Sequence, residues 1–348
     1  MNDVRTVTAT NTQSIPALLP GFGAALVIAA AARGIEHLLP VPLIGASVIA
    51  LFLGMILNQL RKPGAVMAPG LKFTSKKVLK FAIILLGASL SMGTVLHIGR
   101  LSLTVMIFTL LTCFGGGYFV GRALGLNWRL SNMISAGTGI CGGSAIAAMA
   151  PVIDAEDNDI AYAMSATFLF DMVMIVLFPI MGRAMGLSDV AYGLWAGTAV
   201  NDTSSVVAAG YAFSEAAGDF ATMVKLTRTL SIIPTVLVFS VIAMRERRAA
   251  GGAEGQGRVS LTTIFPWFVL GFLAMAGLNS LGLFPAAFSE SMKELSKFLM
   301  VAALAAIGMN TDFRQMRKSG INPMIHGFII SLLVVIVAIA VEYAMGLV

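Results

Sequence analysis

The chain alternates long apolar runs with short polar links along almost its whole length. Each run approaches the roughly 20 residues that a helix needs to cross the hydrocarbon core of a bilayer. Eleven such segments can be drawn: 21–39, 41–59, 79–98, 101–120, 130–153, 160–182, 188–212, 222–244, 263–283, 292–312 and 323–346. Transmembrane barrels would instead alternate apolar and polar residues over about 10 positions. The pattern predicts an all-α polytopic membrane protein with about 9–11 transmembrane helices.

Composition supports this prediction. Hydrophobic residues make up 57% of the chain and charged residues only 11%, against about a quarter charged in a soluble domain. Cys113 and Cys141 lie in apolar segments without metal-site or disulfide spacing, so we expect no cofactor and no metal. The N-terminal stretch before the first apolar segment lacks an apolar core preceded by positive charge, which predicts no cleavable signal peptide.

Basic residues are concentrated in links between segments, where they act as topology determinants rather than as a nucleic-acid surface. The link from Arg61 to Lys80 holds six basic residues and no acid. Later basic groups are Arg122 and Arg129, then Arg245, Arg247, Arg248 and Arg258, then Arg314, Arg317 and Lys318. Intervening links are acidic or balanced, most clearly Asp154, Glu156, Asp157 and Asp159. We therefore expect a cytoplasmic N-terminus, a periplasmic C-terminus and no nucleic-acid partner.

Two internal repeats can be aligned. Placing Lys80 on Lys297 gives six identities: Lys80/Lys297, Phe81/Phe298, Ala88/Ala305, Met92/Met309, Thr94/Thr311 and Arg100/Arg317. Placing Gly137 on Gly197 lays the stretch 137–144 over 197–204. The first pair of segments would be inverted, as in many transporters. The second pair is either two interrupted crossing helices or two re-entrant hairpins, which leaves eleven or nine crossings open.

Each copy of the second repeat puts small and polar residues in the middle of an apolar segment, which predicts a break in the helix. Non-helical backbone at that depth must be buried in protein or line a watery cavity, and its half-helix ends can bind ions. The alternative is that small residues only let helices pack closely. The candidate binding residues are Thr138, Cys141, Gly142, Gly143, Ser144, Thr198, Asn201, Thr203 and Ser204.

Charged residues within the segments are the other candidates. Asp202 lies near the middle of segment seven and Asp171 midway along segment six, where a charge costs roughly 2.5–3.5 kcal/mol. Either Asp171 has a function or it pairs for structural reasons. Lys225 and Arg228 lie in the first turns of the predicted eighth span. They either snorkel to the interface, or Arg228 faces the break as a countercharge or as a fork for a carboxylate or sulfonate.

Several of these motifs resemble a known family. The run from Thr138 to Ala148 containing Cys-Gly-Gly-Ser, the Asn201–Asp202 motif and Gly308–Thr311 are similar to the YeiH-like family of bacterial inner-membrane proteins, also named for sulfate export. The resemblance covers almost the whole chain. It implies a multi-pass inverted-repeat transporter related to cation/proton antiporters and anion transporters, with sulfate or an organic sulfonate as cargo. The apolar segments and the loop charges predict a cytoplasmic tail at residues 1–20 and one transporter domain at 21–348, with a cytoplasmic loop at 245–260.

Three functions compete. The first is a secondary transporter of a small anion, coupled to a proton or sodium gradient. The second is a sodium/proton-type cation antiporter that uses Asn201 and Asp202. The third, an intramembrane enzyme, would require His97 or His326 within hydrogen-bond reach of Ser144 or Asp202. A passive channel is a further alternative, and the sequence does not decide between a monomer and a homodimer. The chain lacks the phosphate-binding Gly-x-x-x-x-Gly-Lys-Ser/Thr pattern, so we expect no ATP hydrolysis.

Overall fold

The computed structural model describes residues 15–38, 46–249, 267–311 and 320–348, and in these ranges the regular structure is helical throughout. We label the helices in chain order. The first four are α1 (Ile15–Leu38), α2 (Ala46–Leu60), α3 (residues 68–89) and α4 (residues 92–123). The next seven are α5 (Trp128–Ala136), α6 (Gly143–Met149), α7 (Asp157–Ala184), α8 (Asp189–Ala199), α9 (Thr203–Phe213), α10 (Glu215–Leu230) and α11 (Ile232–Ala249). The last three are α12 (Trp267–Ser280), α13 (Ala286–Asn310) and α14 (Ile321–Ala344).

Five helical stretches are long and apolar enough to cross a membrane: Pro16–Glu36, Met92–Ala123, Asn158–Ala184, Glu215–Glu246 and Ile321–Ala344. Helices α10 and α11 form one of these stretches because only Ser231 separates them. Helices α5, α6, α8 and α9 belong to two broken segments. Apart from these, the described residues form nine helical rods: α1, α2, α3, α4, α7, α10–α11, α12, α13 and α14. The predicted all-α polytopic membrane fold is confirmed.

The first broken segment, residues 128–149, is a re-entrant hairpin that we call hairpin A. Its first helix, α5, runs alongside α7. The Asn127 side chain donates to Asp159 Oδ2 over 2.9 Å near the start of both helices. Further along α5, just past its last residue, a Cβ built on Gly137 would lie 2.8 Å from Thr167 Cγ2 of α7. The chain then returns through α6 to the start of α7, so hairpin A enters and leaves on one side.

The second broken segment, residues 189–213, is hairpin B. The Tyr192 ring of α8 stacks on the Phe213 ring of α9 with centroids 3.9 Å apart, and Tyr192 Oη donates to the Ala209 carbonyl over 2.9 Å. An unbroken helix would hold residues 192 and 213 about 30 Å apart. The two helices therefore run antiparallel, and the lower of the two expected crossing numbers fits the structure.

The two hairpins enter from opposite ends of α7. Hairpin A begins beside Asp159 at the start of this helix. Hairpin B ends beside its other end, where Arg183 Nη2 donates to the Ala212 carbonyl over 2.6 Å. Helix α7 has 28 residues, which at 1.5 Å per residue is a length of about 42 Å. The hairpins are therefore inverted relative to each other and reach toward the middle of the protein.

The helices pack as two bodies. The scaffold contains α1, α2, α3, α12 and α13, and the hairpin body contains α4, both hairpins, α7, α10–α11 and α14. Within the scaffold, Gly54 of α2 and Gly308 of α13 face each other's backbone, which allows the close crossing that small residues give membrane helices. The two bodies meet where α9 packs on α2 and α13, and where α12 packs on α4.

The predicted boundary between the third and fourth segments, at residues 98–101, is wrong. The break comes earlier, at residues 90–91, where Ser91 Oγ accepts a hydrogen bond from the Thr94 amide over 3.1 Å and caps α4. His97 consequently lies within α4. The link from Arg61 to Lys80 is also shorter than expected, because its last four basic residues lie on α3.

Other edges move as well. Helix α1 begins at Ile15 rather than 21, and α10 begins at Glu215 rather than 222. The Asn127–Asp159 bond places the acidic link 154–159 on the same side as Arg122 and Arg129, so that link does not mark the opposite face. Predictions that fall on residues 1–14, on 250–266 (with Arg258) or on 312–319 (with Arg314, Arg317 and Lys318) lie outside the described residues.

Candidate functional site

The tips of hairpins A and B touch where Gly142 meets Asp202. Gly142 has φ 64° and ψ −133°, a conformation that glycine adopts far more easily than other residues. A Cβ built on it would lie 2.8 Å from Asp202 Oδ1 and 3.1 Å from Asp202 Cα. On the other side of the contact, the backbone of hairpin B is extended at Val200 and at Asp202. The two predicted breaks therefore exist and meet each other.

Asp171 lies halfway along α7 and is fully buried. Its Oδ1 accepts a hydrogen bond from the Asn201 amide over 2.9 Å, and its Oδ2 accepts one from the Asp202 amide over 2.8 Å. Asp202 in turn caps α9, accepting from the Ser204 amide over 2.9 Å and from the Ser204 hydroxyl. Two carboxylates thus occupy the positive end of α9, where helix amides otherwise lack partners.

Lys225 and Arg228 project from α10 into the opposite side of this contact. Arg228 Nε donates to the Gly139 carbonyl over 2.6 Å, and its Nη2 donates to the Thr138 carbonyl over 2.8 Å. Lys225 Nζ donates to the Val200 carbonyl over 3.0 Å. Carbonyls freed by a broken helix can coordinate a cation. In this protein, the Lys225 and Arg228 side chains already bond to the freed carbonyls of both hairpins.

Snorkelling is therefore the wrong interpretation of Lys225 and Arg228, which are 0% and 1% exposed. Helix α10 begins at Glu215, so Lys225 lies about 15 Å along it rather than in its first turn. Of the two alternatives for Arg228, the structure supports the one in which it faces the break. Its N–H groups bond to carbonyl oxygens, and among the described residues no ion pair within 4.0 Å joins it to either aspartate.

Two buried oxygens at the tips have no hydrogen-bond partner in the described parts of the chain: Thr138 Oγ1 and Asn201 Oδ1. Both residues are 0% exposed. The other side-chain atom of Asn201, Nδ2, donates to Ser331 Oγ of α14 over 3.3 Å. An unpaired buried polar atom costs roughly 1–3 kcal/mol. These two oxygens are therefore free to bond to a water, an ion or a donor group of a cargo.

The remaining predicted residues differ in their placement. Thr198 is fully buried but its hydroxyl donates to the Leu194 carbonyl over 2.7 Å, one turn back in α8, so it does not face the break. Cys141 is buried beside Gly142. Gly143 and Thr203 are partly exposed, and Ser144 is exposed at the tip of hairpin A. Eight of the twelve predicted residues form the buried tip or its bonds, and the other four border it from outside or from α8: Gly143, Ser144, Thr198 and Thr203.

Several residues of the site were not singled out from the sequence. The Asn201 side-chain amide donates to the Thr167 carbonyl and to Ser331 Oγ. A single hydroxyl residue in an apolar helix does not indicate a site in the sequence, because its hydroxyl can bond to a carbonyl of its own helix. Glu342, near the end of α14, is 0% exposed. His326 Nε2 lies 3.1 Å from Ser131 Oγ and 3.1 Å from the Gly117 carbonyl. Among the described residues no hydrogen bond joins it to Ser144 or Asp202, the two residues that an intramembrane enzyme would need.

Together these contacts define a polar site at the meeting point of two inverted re-entrant hairpins, midway along α7. Two aspartates hold the helix amides, and a lysine and an arginine hold the carbonyls, so the formal charges of the four side chains cancel. A chain with this architecture is a polytopic helical membrane protein with a buried ionic site between opposed hairpins.

Comparison with known proteins places the chain in a family. Residues 20–327 match the family model described as "Conserved hypothetical protein 698". The chain is 55% identical to a UPF0324 membrane protein of Clostridium tetani, over 92% of this chain and 95% of the relative. It is 40% identical to UPF0324 membrane protein SAG1125 of Streptococcus agalactiae, over 88% and 91%. The chain belongs to this UPF0324 family, as the sequence motifs had indicated.

Proposed function

We propose that this protein is a secondary active transporter of a small anion, sulfate or an organic sulfonate, and that it works by alternating access coupled to a proton or sodium gradient. It would lie in the bacterial inner membrane with its N-terminus in the cytoplasm. The observation that carries the proposal is the contact of two inverted hairpin tips, Gly142 against Asp202, at a buried ionic site.

The architecture supports transport because it joins a central site to two separable bodies. Transporters of inverted-repeat type bind cargo near the bilayer midplane at discontinuous helices, and expose it to each side in turn by moving one body against the other. In this chain the site lies halfway along α7. The hairpin body meets the scaffold mainly along α9 and α12. Only this limited contact surface would have to slide when one body moves against the other.

The charges support an anion rather than sodium as the cargo. The carbonyls of Thr138, Gly139 and Val200, which would suit a metal cation, already bond to Arg228 and Lys225. A sodium ion would have to displace a side chain of its own charge. An anion would instead be attracted by that pair of cations, which lies on the α10 side of the contact, whereas both aspartates bond to amides of hairpin B. Attraction between opposite charges is stronger in a poorly solvated site than in water. The choice of sulfate or sulfonate follows the resemblance to the YeiH-like family.

The carboxylates are the candidates for coupling. Both oxygens of Asp171 accept backbone amides, whereas only Oδ2 of Asp202 has a hydrogen-bond partner among the described residues. Asp202 is also partly exposed. We therefore propose Asp202, rather than Asp171, as the carboxylate that meets the coupling ion.

A cation antiporter is the second candidate, favoured by the free oxygen of Asn201 beside Asp202. Transport in proteoliposomes separates the two. We expect uptake of ³⁵S-labelled sulfate or methanesulfonate that depends on an imposed proton or sodium gradient. Sodium/proton exchange in liposomes without any transported anion, together with no labelled uptake, would contradict the proposal and favour the antiporter. Fast flux that is indifferent to the gradients would indicate a channel.

A further inference from the structure

Glu342 is a buried acid that plays no part in the site at the hairpin tips. It lies two residues before the end of α14, within the apolar stretch Ile321–Ala344. It is 0% exposed, and neither oxygen of its carboxyl group has a hydrogen-bond partner in the described parts of the chain. Ionisable residues inside membrane-spanning helices are rare, and in many transporters they bind protons. A function is therefore the first explanation to test.

The end of α14 that carries Glu342 lies on the hairpin B side. Helix α14 begins on the hairpin A side, where Asn322 Nδ2 donates to the Leu124 carbonyl over 3.2 Å. There His326 also lies 3.1 Å from Ser131 Oγ of α5. Sixteen residues of helix separate His326 from Glu342, which is a distance of about 24 Å. The Glu342 carboxyl group therefore belongs to the side from which hairpin B enters.

The helices packed around this carboxyl group give it no bonding partner. Helix α14 packs on α4, α5, α7, α8 and the tip of hairpin A. The titratable residues of these elements on the hairpin B side are His97 and Arg100 of α4, Arg183 of α7, and Asp189 and Tyr192 of α8. His97 and Arg100 are exposed. Arg183 and Tyr192 bond to carbonyls of α9, and Asp189 bonds to the Ser214 hydroxyl.

These surroundings favour a proton as the ligand of Glu342. An unpaired carboxylate in a poorly solvated place is so unfavourable that the group takes up a proton and becomes neutral. A hard metal cation would need about six oxygen ligands, whereas the described residues contain no group of three or more metal-binding side chains. A proton needs only one oxygen atom.

A single turn of chain covers the carboxyl group from the hairpin B side. The Met345 and Leu347 amides donate to the Glu342 carbonyl over 3.2 Å and 3.1 Å. Their side chains pack against the core, whereas the neighbouring Tyr343 is exposed. Helix ends fray easily. Opening this last turn would therefore bring water to the carboxyl group while the rest of α14 stays in place.

Helix α14 also connects Glu342 with hairpin B. Ser331 Oγ accepts from Asn201 Nδ2 at the tip over 3.3 Å, and the Val335 carbonyl accepts from Trp195 Nε1 of α8 over 2.9 Å. Ser331 and Glu342 are eleven residues apart, which is about three turns of helix, so they lie on the same face about 17 Å apart. A change at the end of α14 can therefore reach the tip of hairpin B through one helix.

We propose that Glu342 is a proton-binding site whose occupancy controls the last turn of α14 and, through α14, the hairpin tips. With its proton, the carboxyl group is neutral and the turn stays closed over it. When the turn opens, the proton passes to water on the hairpin B side. The carboxylate left behind must take up a proton before the turn closes again. The proposal rests on the proposed transport function, to which it adds a proton site separate from Asp202.

The first test needs no transported substrate. Hydrogen–deuterium exchange at the end of α14 is measured by mass spectrometry at several pH values and corrected for the intrinsic pH dependence of amide exchange. Opening that releases one proton rises by up to about tenfold per pH unit. We expect such a rise in the wild-type protein and a flat profile in Glu342→Gln, which stays neutral at every pH. Glu290→Gln removes an exposed acid of α13 and is the matched control, with the wild-type profile.

Equal exchange profiles in Glu342→Gln and the wild-type protein would overturn the proposal. Both Glu342→Gln and the apolar variant Glu342→Leu should fold and melt near the wild type at neutral pH, because a neutral carboxyl group without partners has no bond to lose. Failure of both variants to fold would reveal a bond to an ionised Glu342, and it would overturn the proposal as well.

The second test places the proton site in the transport cycle. Uptake of ³⁵S-labelled sulfate or methanesulfonate is measured in proteoliposomes of known orientation while the pH is varied on the hairpin B side alone. The wild-type rate should change several-fold, and the rate of Glu342→Gln should change much less. Equal pH profiles would remove Glu342 from the cycle and leave anion transport standing. Absence of labelled uptake by the wild-type protein would instead contradict the proposed function, and the exchange test would still decide whether Glu342 binds a proton.

Discussion

The contact between the hairpin tips makes a sharp prediction for Gly142→Ala. Alanine at φ 64° and ψ −133° is strained, and such backbone strain costs about 1–3 kcal/mol. The new Cβ would also lie 2.8 Å from Asp202 Oδ1, so the Asp202 side chain must leave the start of α9. Losing a helix cap costs about 0.5–2 kcal/mol. Together we expect a destabilisation of about 1.5–5 kcal/mol and loss of most of the uptake activity.

Gly143→Ala is the matched control, because a Cβ built on Gly143 meets no atom within 4 Å. Both variants would be purified in the same detergent and compared by thermal unfolding, followed by uptake of ³⁵S-labelled anion in proteoliposomes. We expect a clear fall in the apparent melting temperature for Gly142→Ala and little change for Gly143→Ala. Equal melting temperatures and equal uptake in the two variants would refute the contact between the tips.

Three further substitutions test the charges of the site. Asp202→Asn should abolish gradient-driven uptake while the melting temperature stays near that of the wild type, because Asn still caps α9; normal coupled uptake would remove Asp202 from the mechanism. Asp171→Asn should lower the melting temperature more than Asp202→Asn does, since the buried Asp171 accepts two amides and an unpaired buried amide costs about 1–3 kcal/mol; the reverse order of melting temperatures would contradict this role. Arg228→Lys should lose most of the uptake, because an ammonium cannot reproduce the guanidinium fork that bonds to two carbonyls of hairpin A; uptake close to wild type would show that the fork is dispensable.

The positions of the two breaks could be predicted from the sequence because they rest on local chemistry. Glycine, threonine and serine in the middle of an apolar segment disfavour a continuous helix, and the repeat marked both places. The direction of the chain after each break could not be predicted. Apolar segments of about 22–25 residues are long enough to cross a membrane once or to enter and return. Only contacts between distant positions, such as Tyr192 on Phe213, separate the two.

The contacts of Lys225 and Arg228 with the hairpin tips could not be predicted from the sequence either. The apolar pattern alone gives too late a start for α10, and it therefore places Lys225 and Arg228 in the first turns of that helix. Ser214 Oγ accepts from the Ala217 amide over 3.0 Å and begins the helix at Glu215, before its apolar part. The same error misplaced the boundary between α3 and α4, where a serine cap ends an apolar stretch without any charge.

A structure of the protein in lipid nanodiscs, determined by cryo-electron microscopy with and without the transported anion, tests the central claim most directly. We predict two re-entrant hairpins in both maps, and anion density within hydrogen-bond distance of the tips near Gly142 and Asp202. Two continuous helices in place of the hairpins, or anion density away from the tips, would contradict the account.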